Sequence, residues 1–244
     1  MEKVRFHGLD TLRGLTLISM IAYHACWDMV YMFGADWAWY RSDGAYLWQQ
    51  SICWTFILLS GYCWNLGRHH GKRGLMAFGG GILVSGVTMV IMPEDAIFFG
   101  VLSLLGAMAL LLIPLDTSLR RIPARAGLAG SFGLFLLFRD VNEGYLGFEG
   151  ARLLALPEGL YRNLLTACLG FPGPGFHSSD YFPLLPWCFL FLTGYFLYRL
   201  RPEADPCRLR LLGVTALGRH SLVAYLLHQP VVYGVLWAAY LLFH

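Results

Sequence analysis

Residues 12–33, LRGLTLISMIAYHACWDMVYMF, decide the fold. A spanning helix needs about 20 apolar residues, and this stretch is long enough. It nevertheless carries His24 and Asp28 four residues apart, on one helical face. An ionisable pair in hydrocarbon is costly and as a rule faces a cavity or a partner, which makes the pair a candidate site. The stripe extends through Asp10, Arg13, Leu17, Met20, His24 and Asp28 in steps of three or four. If the crossing starts near residue 12, a rise of about 1.5 Å per residue puts His24 roughly 18 Å in, just past the middle of the membrane. A neutral imidazole there accepts a proton, and a carboxylate one turn away fixes its tautomer and stabilises the imidazolium that forms. The same residues also read as a packing histidine bonded to a neighbouring helix, with Asp28 at the outer interface.

Working outward, the chain keeps this character. Of its 244 residues, 57% are hydrophobic and 14% charged, and the mean hydropathy is +0.55. That is the composition of a polytopic membrane protein, and an all-α, integral membrane helical bundle forming one domain over residues 1–244 is expected. A formal charge of +3 is too small to argue for nucleic acid. The first apolar stretch is too long for a cleavable signal peptide and carries the charged pair. The six cysteines show no C-x-x-C spacing and read as small buried hydrophobes.

Seven spans are predicted, at 12–33, 47–66, 74–92, 97–115, 124–138, 183–199 and 216–242. Cytoplasmic loops are enriched in Lys and Arg. With the N-terminus inside, the cytoplasmic set is Lys3, Arg5, Arg13, Arg68, Lys72, Arg73, Arg120, Arg121, Arg125, Arg199, Arg201, Arg208, Arg210 and Arg219. Only Arg41, Arg139, Arg152 and Arg162 fall outside, so the asymmetry favours seven spans with the N-terminus cytoplasmic and the C-terminus outside. Between the fifth and sixth spans, residues 139–182 hold Pro157, a leucine-rich stretch and then PGPG. Pro157 suits a helix start and PGPG a stop, which predicts a short re-entrant or interfacial helix, a lid over an outward-facing pocket. Gly79 to Gly81 read as a close-packing helix face.

Two further spans carry polar groups. The last one holds Gly218, Arg219 and His220 at its inner end, and His228, Gln229 and Pro230 within. Pro230 lacks an N–H and frees the carbonyl of Leu226, which favours a polar cavity beside His228, or simply a structural kink. The second span encloses Ser60 and Asn65 and ends in Arg68, Lys72 and Arg73. That basic cluster suits the phosphates of a nucleotide-containing donor, or equally a topology determinant facing lipid headgroups.

Several motifs carry a family resemblance: RFHGLDTLRGLTLISMIAYHACWDM at 5–29, ILLSGYCWNLGR at 57–68, IFFGVLSLLG at 97–106, SDYFPLLPWCFLFLTGYFL at 179–197 and LGRHSLVAYLLHQPV at 217–231. Together they touch nearly the whole chain. The sequence resembles the catalytic-domain family of heparan-alpha-glucosaminide N-acetyltransferase in its short bacterial form. The spacing of Arg13, His24 and Ser60-Gly61 is also similar to that of membrane acyltransferases acting on bacterial polysaccharides. The resemblance implies a bacterial-type inner membrane protein in which acetyl-CoA donates from the cytoplasmic side. An intramembrane histidine would help pass the acetyl group to a sugar amine or hydroxyl outside.

The expected site follows. His24 is the base and Asp28 orients it; Arg13, Asp10, Ser60, Asn65 and Arg68 lie on the donor side; Asp180, His228 and Gln229 lie on the acceptor side. No metal is expected, and the partners are the bilayer, an acyl donor, a glycan-type acceptor and optionally a second copy in a homodimer. Two other classes fit the residues: a small-solute transporter with polar groups on its first and last spans, and a haem electron-transfer protein with His24 and His228 as axial ligands. A retinal protein is excluded, because the only lysines are Lys3 and Lys72.

Overall fold

A computed structural model describes residues 6–202 and 211–243. Lys3, Arg5, Cys207, Arg208 and Arg210, used in the charge and motif readings, lie outside the described residues. Helices predominate: α1 (His7–Trp27), α2 (Asp43–Trp64), α3 (His70–Ile91), α4 (Val101–Leu119), α5 (Ala124–Leu137), α6 (Leu164–Leu169), α7 (Leu184–Leu200), α8 (Leu212–Arg219) and α9 (Ser221–Phe243). Each predicted span therefore has a helix.

The spans are fewer than the seven expected. Among the described residues, three helices are long and apolar enough to cross a membrane: His70–Ile91, Val101–Leu119 and Ser221–Leu242. They fit a membrane protein. The others fall short for visible reasons. The first two turns of α1 hold Asp10 and Arg13, α2 opens on DGAYLWQQS, α5 has 14 residues and α7 has 17. At about 1.5 Å per residue, α5 covers roughly 21 Å, less than a hydrocarbon core of about 30 Å.

The 139–182 segment corrects the all-α expectation. It holds an antiparallel hairpin, β1 (Tyr145–Phe148) with β2 (Ala151–Ala155), its register irregular at Leu146/Gly147. Glu149 and Gly150 form the loop with φ of 47° and 88°, both positive, as a tight two-residue hairpin turn requires. The short helix is present but starts later than Pro157, which precedes a 3-10 turn at Glu158–Leu160. Asn163 begins α6: its side chain accepts from Leu165 N and Thr166 N, and the Thr166 hydroxyl accepts from Asn163 N in return, a reciprocal cap.

The chain forms two compact units, residues 1–56 with 203–244, and residues 57–202, the boundary falling inside α2. In the first unit α8 packs antiparallel on α1. A Cβ on Gly14 would lie 2.1 Å from the Val214 carbonyl oxygen, and one on Gly218 would lie 1.8 Å from that of Asp10, so only glycine permits this approach. The Thr11 and Thr215 hydroxyls meet at 2.7 Å between these contacts. The chain turns at His220, and α9 runs parallel to α1: ring contacts join His24 to His228, and Phe33 to Tyr233, Trp237 and Tyr240. Leu17, Met20 and Ile52 form the buried core, covered by Trp48, Leu217 and Tyr225 among others. The Trp48 indole donates to Ser19 Oγ at 2.8 Å and ties α2 to α1.

The second unit pairs α3 with α4 and α5 with α7. Within the glycine triplet, a Cβ on Gly81 would strike Ser103 of α4 at 2.3 Å, whereas one on Gly79 would meet nothing. The end of α2 meets α7 through reciprocal glycines, Gly61 under the Phe191 carbonyl and Gly194 under that of Leu58. The end of α4 is closed by Arg199, whose guanidinium donates to the carbonyls of Leu119, Arg120 and Ile122 at 2.8, 2.9 and 3.1 Å. Cys26, Cys53, Cys63, Cys168 and Cys188 are partly rather than fully buried.

Candidate functional site

Four of the expected site residues come together in the first unit. At its C-terminal end α1 widens into a π-helical turn, Asp28–Met32, a distortion frequent at functional sites. Asp28 is fully buried at its start. Its Oδ1 accepts a 2.6 Å hydrogen bond from Gln229 Nε2, a contact between residues 201 positions apart in sequence. Asp28, expected to orient His24, has Gln229 as its hydrogen-bond partner. The His24 ring, half-buried, lies 4.9 Å from the His228 ring at an interplanar angle of 58°. That spacing leaves no room for a haem between them, since two axial nitrogens flank the iron on opposite sides.

The protonation pattern of the cluster follows from acceptor chemistry. His228 Nδ1 lies 2.5 Å from the Tyr225 carbonyl oxygen. A carbonyl only accepts, so Nδ1 carries the proton, and in the neutral ring Nε2 is a bare lone pair. It is the carbonyl of Tyr225, not that of Leu226, that the ring engages. A carboxylate likewise only accepts, so the Gln229 amide nitrogen faces Asp28 and its Oε1 is turned elsewhere. Three buried atoms have no hydrogen-bond partner here: Asp28 Oδ2, Gln229 Oε1 and His228 Nε2. With Asp28 ionised, all three are acceptors. Buried polar atoms are ordinarily satisfied, so this concentration of unmatched lone pairs suits a ligand rich in N–H or O–H groups.

Further along the α1 and α8 contact, Asp10 is shared by two arginines: Arg13 Nη1 lies 3.3 Å from Oδ1 and Arg219 Nε lies 3.6 Å from Oδ2. Arg219 Nη2 also reaches His7 Nδ1 at 3.3 Å. Two guanidiniums against one carboxylate leave this corner net positive. Tyr225 was not singled out in the sequence, and Arg219 was noted at the inner end of the last span without a donor-side role. The signal for Arg219 was its place next to Gly218, where α1 and α8 touch. The signal for Tyr225 was only that a helical histidine reaches back to the carbonyl three residues earlier.

Ser60, Asn65, Arg68 and Asp180 belong to the other unit. Ser60 is half-buried on α2. Asn65 donates to the Tyr195 carbonyl at 3.2 Å, and Arg68 is exposed past the end of α2. Asp180 caps α4: its Oδ2 accepts from Val101 N at 3.2 Å, inside a seam in which Ser178 bonds both backbone groups of Phe98 and Phe182 N donates to Phe99 O. Burial pushes the Asp180 carboxyl up to about 6, while the Val101 amide pulls it the other way and loses. Among the described residues, no group of three or more His, Cys, Asp or Glu side chains is placed to hold a metal ion.

Comparison with known proteins supplies the family. No curated protein and no solved structure matches the chain. The family described as heparan-alpha-glucosaminide N-acetyltransferase, catalytic, matches residues 5–230, a span that takes in α1 and reaches α9 as far as His228 and Gln229. The chain belongs to the heparan-alpha-glucosaminide N-acetyltransferase catalytic-domain family.

Proposed function

We propose that this protein is a membrane acyltransferase that moves an acetyl group from acetyl-CoA to a sugar amine or hydroxyl, with the reacting group of the acceptor held at the His24, Asp28, His228 and Gln229 cluster. The observation that carries the reading is the trio of buried, unmatched acceptor atoms, together with membership in a family named for acetyl transfer. An amine or a polyhydroxylated ring supplies the donors this trio lacks. Arg13 and Arg219, sharing Asp10, offer cationic contacts for the phosphates of the donor. A positioned base contributes about 10²–10⁴-fold, so alignment of thioester and acceptor supplies the remainder.

The membrane orientation is part of the proposal: N-terminus cytoplasmic and C-terminus outside, in a bacterial-type inner membrane. The parallel run of α1 and α9 supports it, because the start of one and the end of the other lie at opposite ends of their unit. A reporter active only outside the cytoplasm then works when fused after His244 and fails when fused after Arg201. The reverse pattern overturns the orientation.

The activity test uses purified protein in lipid nanodiscs with acetyl-CoA and glucosamine as probe acceptor. Release of free CoA thiol with formation of acetylated sugar supports the reading. If neither product appears, the reading fails.

A further inference from the structure

We propose that His228, rather than His24, takes the proton from the acceptor, with the backbone carbonyl of Tyr225 as its positioning group. The inference rests on the acyltransferase reading and assigns unequal roles to the two histidines. A general base needs one designated nitrogen, a fixed ring and a lone pair free to receive the proton. His228 has all three: Nδ1–H is anchored on the Tyr225 carbonyl, the ring is more than nine-tenths buried, and Nε2 has no partner. A carbonyl serves here as the orienting carboxylate does in a Ser-His-Asp triad. His24 lacks the anchor: among the described residues its ring makes no side-chain hydrogen bond that would designate one nitrogen, and its aromatic neighbours are the rings of Tyr23 and His228.

The surroundings of His228 suit the charge it would acquire. On α1 the titratable groups facing this stretch of α9 are His24 and Asp28, and on α9 itself there is Tyr225. Asp28 is bonded through one oxygen only, to the residue next to His228, and its second oxygen is unmatched. Its charge therefore stands beside the imidazolium as that forms, while the ring of His24 packs against it.

The acceptor N–H or O–H bonds to His228 Nε2, and its heteroatom attacks the thioester carbonyl carbon. As the new bond to carbon forms, the proton passes to Nε2. The carbon–sulfur bond then breaks, and the departing thiolate takes the proton from Nε2. CoA thiol and acylated acceptor leave, and His228 returns to the neutral Nδ1–H form.

The test measures acetyl transfer from acetyl-CoA to glucosamine by the full-length protein in nanodiscs. His228→Ala is expected to lower kcat by about 10²–10⁴-fold with the KM for acetyl-CoA unchanged, and added imidazoles should restore part of the rate, more basic ones restoring more. His228→Gln keeps the bulk without the base, so it should be as slow and gain nothing from imidazole; it also serves if the alanine variant does not fold. His24→Ala should fall less and show no rescue. Histidine ¹⁵N spectra of the unaltered protein should show His228 as a single Nδ1–H tautomer. Near wild-type turnover in His228→Gln, or rescue by imidazole in His24→Ala alone, overturns the assignment and leaves the acyltransferase reading standing. No transfer by the unaltered protein overturns both.

Discussion

In residues 57–202 three charged side chains near helix ends are spent on backbone and neighbours. Asp180 closes the start of α4, Arg199 takes three carbonyls at its end, and Asp116 accepts from Tyr195 Oη at 2.6 Å and from Arg120 Nε at 2.8 Å. In the unit built from α1, α8 and α9, Asp28 is more deeply buried than any of these, yet one of its oxygens is unmatched, as are Gln229 Oε1 and His228 Nε2. A buried unsatisfied polar group costs about 1–3 kcal/mol, and three in one cluster are retained at a loss to stability. The difference separates two kinds of carboxylate. Asp180 is bonded to the start of α4, and Asp28 keeps one buried oxygen unmatched.

That contrast is broken most sharply by truncating each carboxylate in turn. Asp28→Ala should reduce acetyl transfer by about 10²-fold or more, the scale of a lost preorganised electrostatic contact. Its stability should change by only about 1–2 kcal/mol, because a buried charge is removed along with its hydrogen bond. Asp180→Ala should do the opposite, costing about 0.5–2 kcal/mol as a lost helix cap and leaving turnover per folded molecule near wild type. Thermal unfolding beside activity normalised to folded protein checks the pair. A collapse of turnover in Asp180→Ala would return that residue to the acceptor side, where its place in the SDYF motif had put it.

A smaller effect sharpens what the two units share. Each brings helices into backbone contact at glycine, Gly218 against Asp10 in one and Gly194 against Leu58 in the other. Alanine at either position forces a Cβ to within about 2 Å of a carbonyl oxygen and should destabilise by about 1–3 kcal/mol, the usual range for overpacking. Gly79→Ala meets open space and gains helix propensity, so its midpoint of unfolding should stay level or rise. Equal losses at all three positions would mean that the close approaches do not set helix spacing.

How much of this was legible in the sequence varies by the range of the interaction. Helix positions were legible because long apolar runs are local signals, and so was the polarity of α1 and α9, since His24, Asp28, His228 and Gln229 interrupt such runs. The partner of Asp28 was not. Spacing along one helix offered His24, four residues away, whereas the partner chosen lies 201 positions off and is fixed only when α9 lies beside α1. The hairpin escaped because its turn is Glu149-Gly150, and glutamate at positive φ is an uncommon choice where Asn-Gly or Asp-Gly would have announced the turn. The start of α6 escaped because its reciprocal cap uses Thr166 in place of the usual Glu or Gln. Asp180 was read as an acceptor-side residue; its hydrogen bond to the start of α4, 79 residues earlier, has no local signal in the sequence.

The last predicted effect concerns that same carboxylate and its pH dependence. Two influences compete at Asp180: a helix N-terminus, which favours the charged form, and burial, which favours the neutral one. Burial prevails, and the carboxyl titrates at about 6 rather than near the usual 3.8. A folded-state value above the unfolded one means that the folded protein binds the proton more tightly. The resulting stabilisation is complete below about 3.8 and is lost as pH rises through about 6. Measured against Asp180→Asn, which cannot ionise, the wild-type midpoint of unfolding should therefore decline by a few degrees between about pH 4 and pH 6 and run parallel to the variant above that. Other titrating groups cancel in the difference, since both proteins carry them. A wild-type midpoint that instead climbs relative to the variant over this window would show the helix terminus outweighing burial. Asp180 would then be a charged cap, and the contrast with Asp28 would rest on hydrogen bonding alone.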